Sequence, residues 1–133
     1  MKVEVNEQPK RFYLAFSDKW VSVVGHEITV GEYKFSAVAT PKNIIFSEAT
    51  SGVKIISMPM SFPIYMLTTT KEDTISFYQE MGKKLKRIIK KDSNFNSKIE
   101  VWKNKALDLL GEMPPIEEVD ERMILAGKSD EIH

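Results

Sequence analysis

The chain has 133 residues, 42% of them hydrophobic and 10% aromatic, which is ordinary material for one globular domain able to bury a core without staples. It contains no cysteine, so disulfides, thiolate nucleophiles and cysteine-held zinc or iron–sulfur centres are excluded, and a reducing, cytoplasmic setting is the expectation. Formal net charge is zero but uneven: residues 1–70 carry +1, 71–91 carry +4, 92–111 carry 0 and 112–133 carry −5. A basic segment followed by an acidic one is therefore the main charge asymmetry.

The first ten residues are polar and are expected either to fray or to add an edge strand through Val3 and Val5. They lack the apolar core of a signal peptide, and the most apolar window, residues 55–67, is too short to span a bilayer and carries two prolines. Residues 11–17 alternate, with Phe12, Leu14 and Phe16 on one face, and Ser17-Asp18-Lys19 suits a turn into residues 20–25, which makes a hairpin. Residues 27–30 form a further short apolar run before Gly31, read as a bulge or turn.

The clearest strand signal lies in residues 33–58. Tyr33, Phe35, Ala37 and Ala39 fall on one face of a period-two strand. Thr40-Pro41-Lys42-Asn43 then reverses the chain, residues 44–48 pair back, Ala49-Thr50-Ser51-Gly52 makes a second reversal, and residues 53–58 return. Residues 58–67 read MPMSFPIYML. Pro59 and Pro63 argue against a central strand, so this is a crossing from sheet to helix with an edge strand at 64–68. Methionine-rich surfaces repack around different shapes, so Met58, Met60, Phe62 and Tyr65 are candidates for contact with a protein partner or for self-association; the plainer reading is a connection that lines the core.

Thr70 caps a helix over 70–91 with Glu72 and Asp73 in its first turn. Ile75, Tyr78, Met81, Leu85, Ile88 and Ile89 form its apolar stripe, which leaves Lys83, Lys84, Lys86, Arg87, Lys90 and Lys91 outside that stripe. Residues 91–96 read as a loop. Ser97-Lys98-Ile99-Glu100 is a capping box for a second helix over 98–110, whose stripe is Ile99, Trp102, Ala106, Leu109, Leu110 and Met113. Pro115 suits the start of a third, acidic helix over 115–126, and residues 128–133 are expected to fray. Runs of strands followed by runs of helices give an α+β fold, here an antiparallel meander of five or six strands over 11–68 with two or three packed helices.

Chemical motifs are sparse. His133 is the last residue, which leaves His26 as the acid–base candidate, and a hydrolase built around His26 and Glu48 is the remote reading, since one histidine without a nucleophile is not a triad. The stretch 47–52 gathers hydroxyls, a carboxylate and a glycine, which fits an anion site but fits a hairpin turn better. No nucleotide-binding, hydrolase or metal-ligand spacing occurs, so no cofactor and no metal are expected. The six cations of the first helix could track phosphates, with Phe95 stacking on a base beyond the helix end and the acidic C-terminal segment regulating access. Against this, charge runs on helices are most often solvated faces, and the pI near 6.7 lacks the basic bias of a dedicated nucleic-acid binder. The leading expectation is a non-enzymatic binding or regulatory protein that engages a protein partner; nucleic-acid binding is the runner-up.

Overall fold

The computed structural model describes residues 1–120. Seven strands and three helices follow in order: β1 (Val3–Val5), β2 (Lys10–Ala15), β3 (Trp20–Val30), β4 (Tyr33–Ala39), β5 (Asn43–Glu48), β6 (Val53–Pro59), α1 (Phe62–Met66), α2 (Lys71–Lys91), α3 (Phe95–Leu110) and β7 (Glu117–Glu118). All pairings are antiparallel, in the order β6-β5-β4-β3-β2-β7 with β1 beside β3. The α+β arrangement expected from the sequence is the one found.

The runs over 20–25 and 27–30 are one strand rather than two. Its first half pairs with β2 and its second half with β1 and β4. The two halves also serve different cores. Ile28 and Val30 join Phe35, Ala37, Ile44 and Phe46 beneath α2 and α3, while Val21 and Val23 join Phe12, Leu14, Val38 and Ala49 on the opposite face. The sheet thus curls at Gly25 and folds the β2–β3 hairpin over the outer face of β4 and β5. A Cβ at Gly25 would stand 2.2 Å from the Ala37 carbonyl oxygen, so the curl needs a residue without a side chain. At the far end the Ala15 amide donates to the Gly52 carbonyl at 2.9 Å, drawing the end of β2 onto the β5–β6 turn. Gly52 takes φ +73°, and a Cβ there would meet the Tyr13 carbonyl oxygen at 2.6 Å.

The helices cover the other face. Tyr78, Met81, Leu85 and Ile89 of α2 are buried, matching the expected stripe, with Phe77 and Ile88 packed partly against them. Thr70 caps α2 by accepting from the Asp73 amide at 3.1 Å. Gln79 Nε2 donates to the Val3 carbonyl at 2.9 Å and so ties β1 to the helix. Residues 3–5 are therefore an edge strand of the sheet.

Three boundaries differ from the sequence reading. The edge strand expected at 64–68 is instead helical: Ser61 caps α1, Pro63 sits in its first turn where no amide is needed, and Thr68 Oγ1 donates to the Ile64 carbonyl at 3.0 Å. Helix α3 begins at Phe95, three residues before the expected start, and its N-cap residue Asn94 makes no side-chain capping bond. Burial of Phe95 decides that start, and the Ser97 capping box is left inside the helix. The core contact of α3 then ends at Ala106, and Leu109, expected in the stripe, is exposed.

The third expected helix also changes. Of residues 115–126, those up to 120 are described, and Glu117–Glu118 there form β7 against Lys10 and Arg11 of β2. Residues 121–126 and 128–133 lie outside the described residues. The physical reason is the open edge of β2, whose backbone groups need partners. Ile116 packs on the outer core, the Val119 amide donates to the Pro9 carbonyl, and Gln8 Nε2 donates to the Val119 carbonyl.

Replacing Gly25 by alanine forces a backbone shift at the curl. Unfolding in urea should show a loss of about 3 kcal/mol, seen as a lower midpoint with an unchanged slope. A midpoint equal to that of the parent chain would mean that the curl does not depend on this close approach.

Candidate functional site

His26 and Glu48, the acid–base candidates, are both buried but are not brought together. His26 lies opposite Ala37, which lies opposite Phe46; Glu48 lies opposite Phe35, which lies opposite Ile28. That separation, two strands across and one row along, puts the two backbones roughly 12 Å apart. His26 Nδ1 donates to the Asn6 carbonyl at 3.0 Å, and the ring packs 6.1 Å from that of Tyr78. Its neighbour Glu27 accepts from Lys10 Nζ at 3.3 Å.

Glu48 is only 2% exposed, yet its carboxylate is well supplied with donors. It accepts from the Thr50 amide at 3.0 Å, the Ser51 amide at 2.8 Å and Thr50 Oγ1 at 2.8 Å. The amides of the 49–52 turn, which could have cradled an external anion, are thus occupied, those of Thr50 and Ser51 by the Glu48 carboxylate and those of Ala49 and Gly52 by the Lys34 and Glu48 carbonyls. The segment that gathered hydroxyls and a glycine is a self-capped hairpin. Among the described residues, no group of three or more His, Asp or Glu stands close enough to hold a metal ion.

The basic face of α2 is real but partly explained by structure. Lys83 pairs with Glu80 at 2.8 Å, and Lys90 and Lys91 occupy the last turn, where cations complement the helix dipole. Lys84, Lys86, Arg87, Lys90 and Lys91 make no ion pair among the described residues. Phe95 does not extend this face. It is 3% exposed and meets Tyr33 and Trp102 edge-on at 5.3 and 6.0 Å, so it is a core residue and not a stacking platform. The corner between α2 and α3 is fixed by Asp92, whose carboxyl the Lys98 ammonium and the Asn94 amide hold below the usual carboxylate range. The acidic segment is not on the basic face where it is described: Glu117 lies on β2, 3.7 Å from Arg11 Nε.

The partner-contact candidates divide. Met58 and Met60 are half-buried and pack on the main core, as the plainer reading expects. Phe62 and Tyr65 are exposed, by 74% and 56%, and Met66 and Leu67, which the sequence did not single out, are half exposed beside them. Ile64 faces the core and anchors the turn from which the others project. One signal could have found Met66 and Leu67. From residue 55 to residue 70 the chain has no charged side chain, and a five-residue helix has one face only to bury. Three further apolar residues, Val101, Leu107 and Leu109 of α3, are also exposed.

No protein-family model, curated protein or solved structure matches the chain. Among the described residues no helix is long and apolar enough to cross a membrane.

Tyr78 joins the histidine to the core and carries a pH dependence. Burial pushes its phenol far above the ordinary range. The unfolded chain loses that proton near pH ~10, so above this pH the unfolded state binds fewer protons and stability falls as pH rises; below it the contribution is fully present. Urea unfolding at neutral and strongly alkaline pH should show a larger alkaline loss for the parent chain than for Tyr78→Phe. Equal losses in the two would remove Tyr78 as the cause.

Proposed function

We propose that the chain is a binding protein, without catalytic activity, that engages a protein partner through α1. The observation that carries this reading is the cluster of Phe62, Tyr65, Met66 and Leu67, at least half exposed within six residues and with no charge among them. Large apolar groups held in water by a capped, proline-started turn are stabilised by neither core burial nor solvation, and aromatic anchors are the residues that carry most energy at protein interfaces. The partner it fits presents an apolar groove for Phe62 and Tyr65.

The test begins with a photoreactive residue at position 65 in living cells, with the same probe at exposed Glu32 in the β3–β4 turn as control. An adduct specific to position 65 identifies the partner, and a mass twice that of the chain identifies it as a second copy. Binding of the purified pair should weaken about 30-fold in Tyr65→Ser, while the stability of the chain changes by less than about 0.5 kcal/mol. Labelling at position 65 no different from that at 32 would end the proposal.

The unpaired cations of α2 favour a second reading, binding to a polyanionic nucleic acid. Labelled single-stranded RNA and duplex DNA should then bind at low salt, with affinity falling steeply as salt rises. Glu replacements at Lys84, Arg87 and Lys91, which share one helix face, should cost at least about tenfold and flatten the salt slope. Absence of binding at low salt would leave these lysines as a solvated face.

A further inference from the structure

A cleft of ≈ 340 Å³ opens on the face of β5 and β6 turned away from the helices, between those strands and the end of β2. Small-molecule sites begin at about this volume. Its lining combines apolar groups, Leu14, Phe16 and Ile45, with polar ones, Ser47, Lys54 and Ser57, and Ile45 lies opposite Ser57 in the β5–β6 ladder. None of the lining residues is acidic. The end of β2, where the Ala15 amide meets the Gly52 carbonyl of the β5–β6 turn, forms one side of the cleft.

The polar groups share one property, an unused donor. Ser47 is 1% exposed, and among the described residues its Oγ is the one buried side-chain oxygen or nitrogen without a hydrogen-bond partner. Such atoms are rare in native proteins because a buried hydroxyl that leaves water without gaining a partner is costly. Ser57 Oγ accepts from Asn43 Nδ2 at 3.2 Å, and the Asn43 side-chain oxygen Oδ1 in turn accepts from Thr40 Oγ1 at 2.8 Å. That chain of bonds leaves the Ser57 proton to be given elsewhere. Lys54 stands directly opposite Ser47 in the ladder and makes no ion pair among the described residues. Lys54 is exposed, so its ammonium can reach an anion held beside the Ser47 hydroxyl.

Two hydroxyl protons and one ammonium with no carboxylate nearby call for an anion that accepts several hydrogen bonds, and a single cation matches a single negative charge. The apolar lining residues Leu14, Phe16 and Ile45 call for a hydrocarbon part. We propose that the cleft binds a small aliphatic carboxylate, with its head on Lys54, Ser57 and Ser47 and its chain along Leu14, Ile45 and Phe16. The site is separate from the α1 surface and does not depend on it.

The experiment is an amide NMR titration of the full chain with hexanoate, hexanol and acetate as three arms. Hexanoate should give saturable shifts at Ser47, Lys54 and Ser57 below about 10 mM, while hexanol, without the charge, and acetate, without the chain, bind at least about tenfold more weakly. Lys54→Met, a change at an exposed position, should weaken hexanoate about tenfold and leave hexanol unaffected. Ser47→Ala should weaken hexanoate with the spectrum otherwise retained. Phe62→Ser with Tyr65→Ser should leave hexanoate binding intact, so failure of the protein-partner reading does not touch this one. The proposal is overturned by the absence of saturation, by acetate or hexanol binding as tightly as hexanoate, or by Lys54→Met binding hexanoate like the parent chain.

Discussion

The close approach of β3 to β4 at Gly25 is the constraint on which the molecule rests. A flat sheet of these strands would have one face under the helices and the other in water. Because β3 curls where Gly25 has no side chain, the β2–β3 hairpin returns over the outer face and Val38 and Ala49 become core. One long strand therefore belongs to two layers, Ile28 and Val30 in one and Val21 and Val23 in the other, by the simple alternation of side chains along it. The same curl brings Ala15 to Gly52, and the cleft beside that junction is the remainder of a closure that is incomplete.

The central meander was legible from its sequence because three kinds of signal agree there: period-two alternation, proline at one turn and glycine at the other. The α2 stripe was legible for a similar reason, since cap, first-turn acids and apolar spacing coincide. The misread elements are those in which local chemistry is ambiguous and distant contact decides. Phe95 follows an asparagine in a polar stretch, and only the presence of Tyr33 and Trp102 makes it core. Residues 115–120 carry helix-like spacing, but the edge of β2 offers them a ladder, and Pro114-Pro115 does nothing to prevent an extended path. The curl at Gly25 could not have been foreseen, because a glycine within a strand does not say which way the strand bends.

Of the candidate residues, the sequence identified charge and apolarity well and access poorly. Lys83, Lys84, Arg87, Lys90 and Lys91 are exposed as the spacing required, while Lys86 is half-buried. Met58, Met60 and Ile64 pack on the main core while Phe62, Tyr65, Met66 and Leu67 are exposed, and within α1 the division follows the helix face rather than residue type. Ser47 was read as part of a turn. Its interest comes from a missing hydrogen bond, and the absence of a partner is a property of three dimensions that no spacing along the chain encodes.

β7 has a further implication for how the molecule is made. It closes the edge of β2, yet β2 ends at Ala15 and β7 begins at Glu117. During synthesis almost the whole domain leaves the ribosome before the strand that seals its first hairpin exists. For that interval β2 presents an unpaired edge, backed by Phe12 and Leu14, to every other nascent chain nearby. Lys10 and Arg11 put charge on that edge, the kind of residue that discourages pairing with other chains, and Arg11 pairs with Glu117 once β7 is in place.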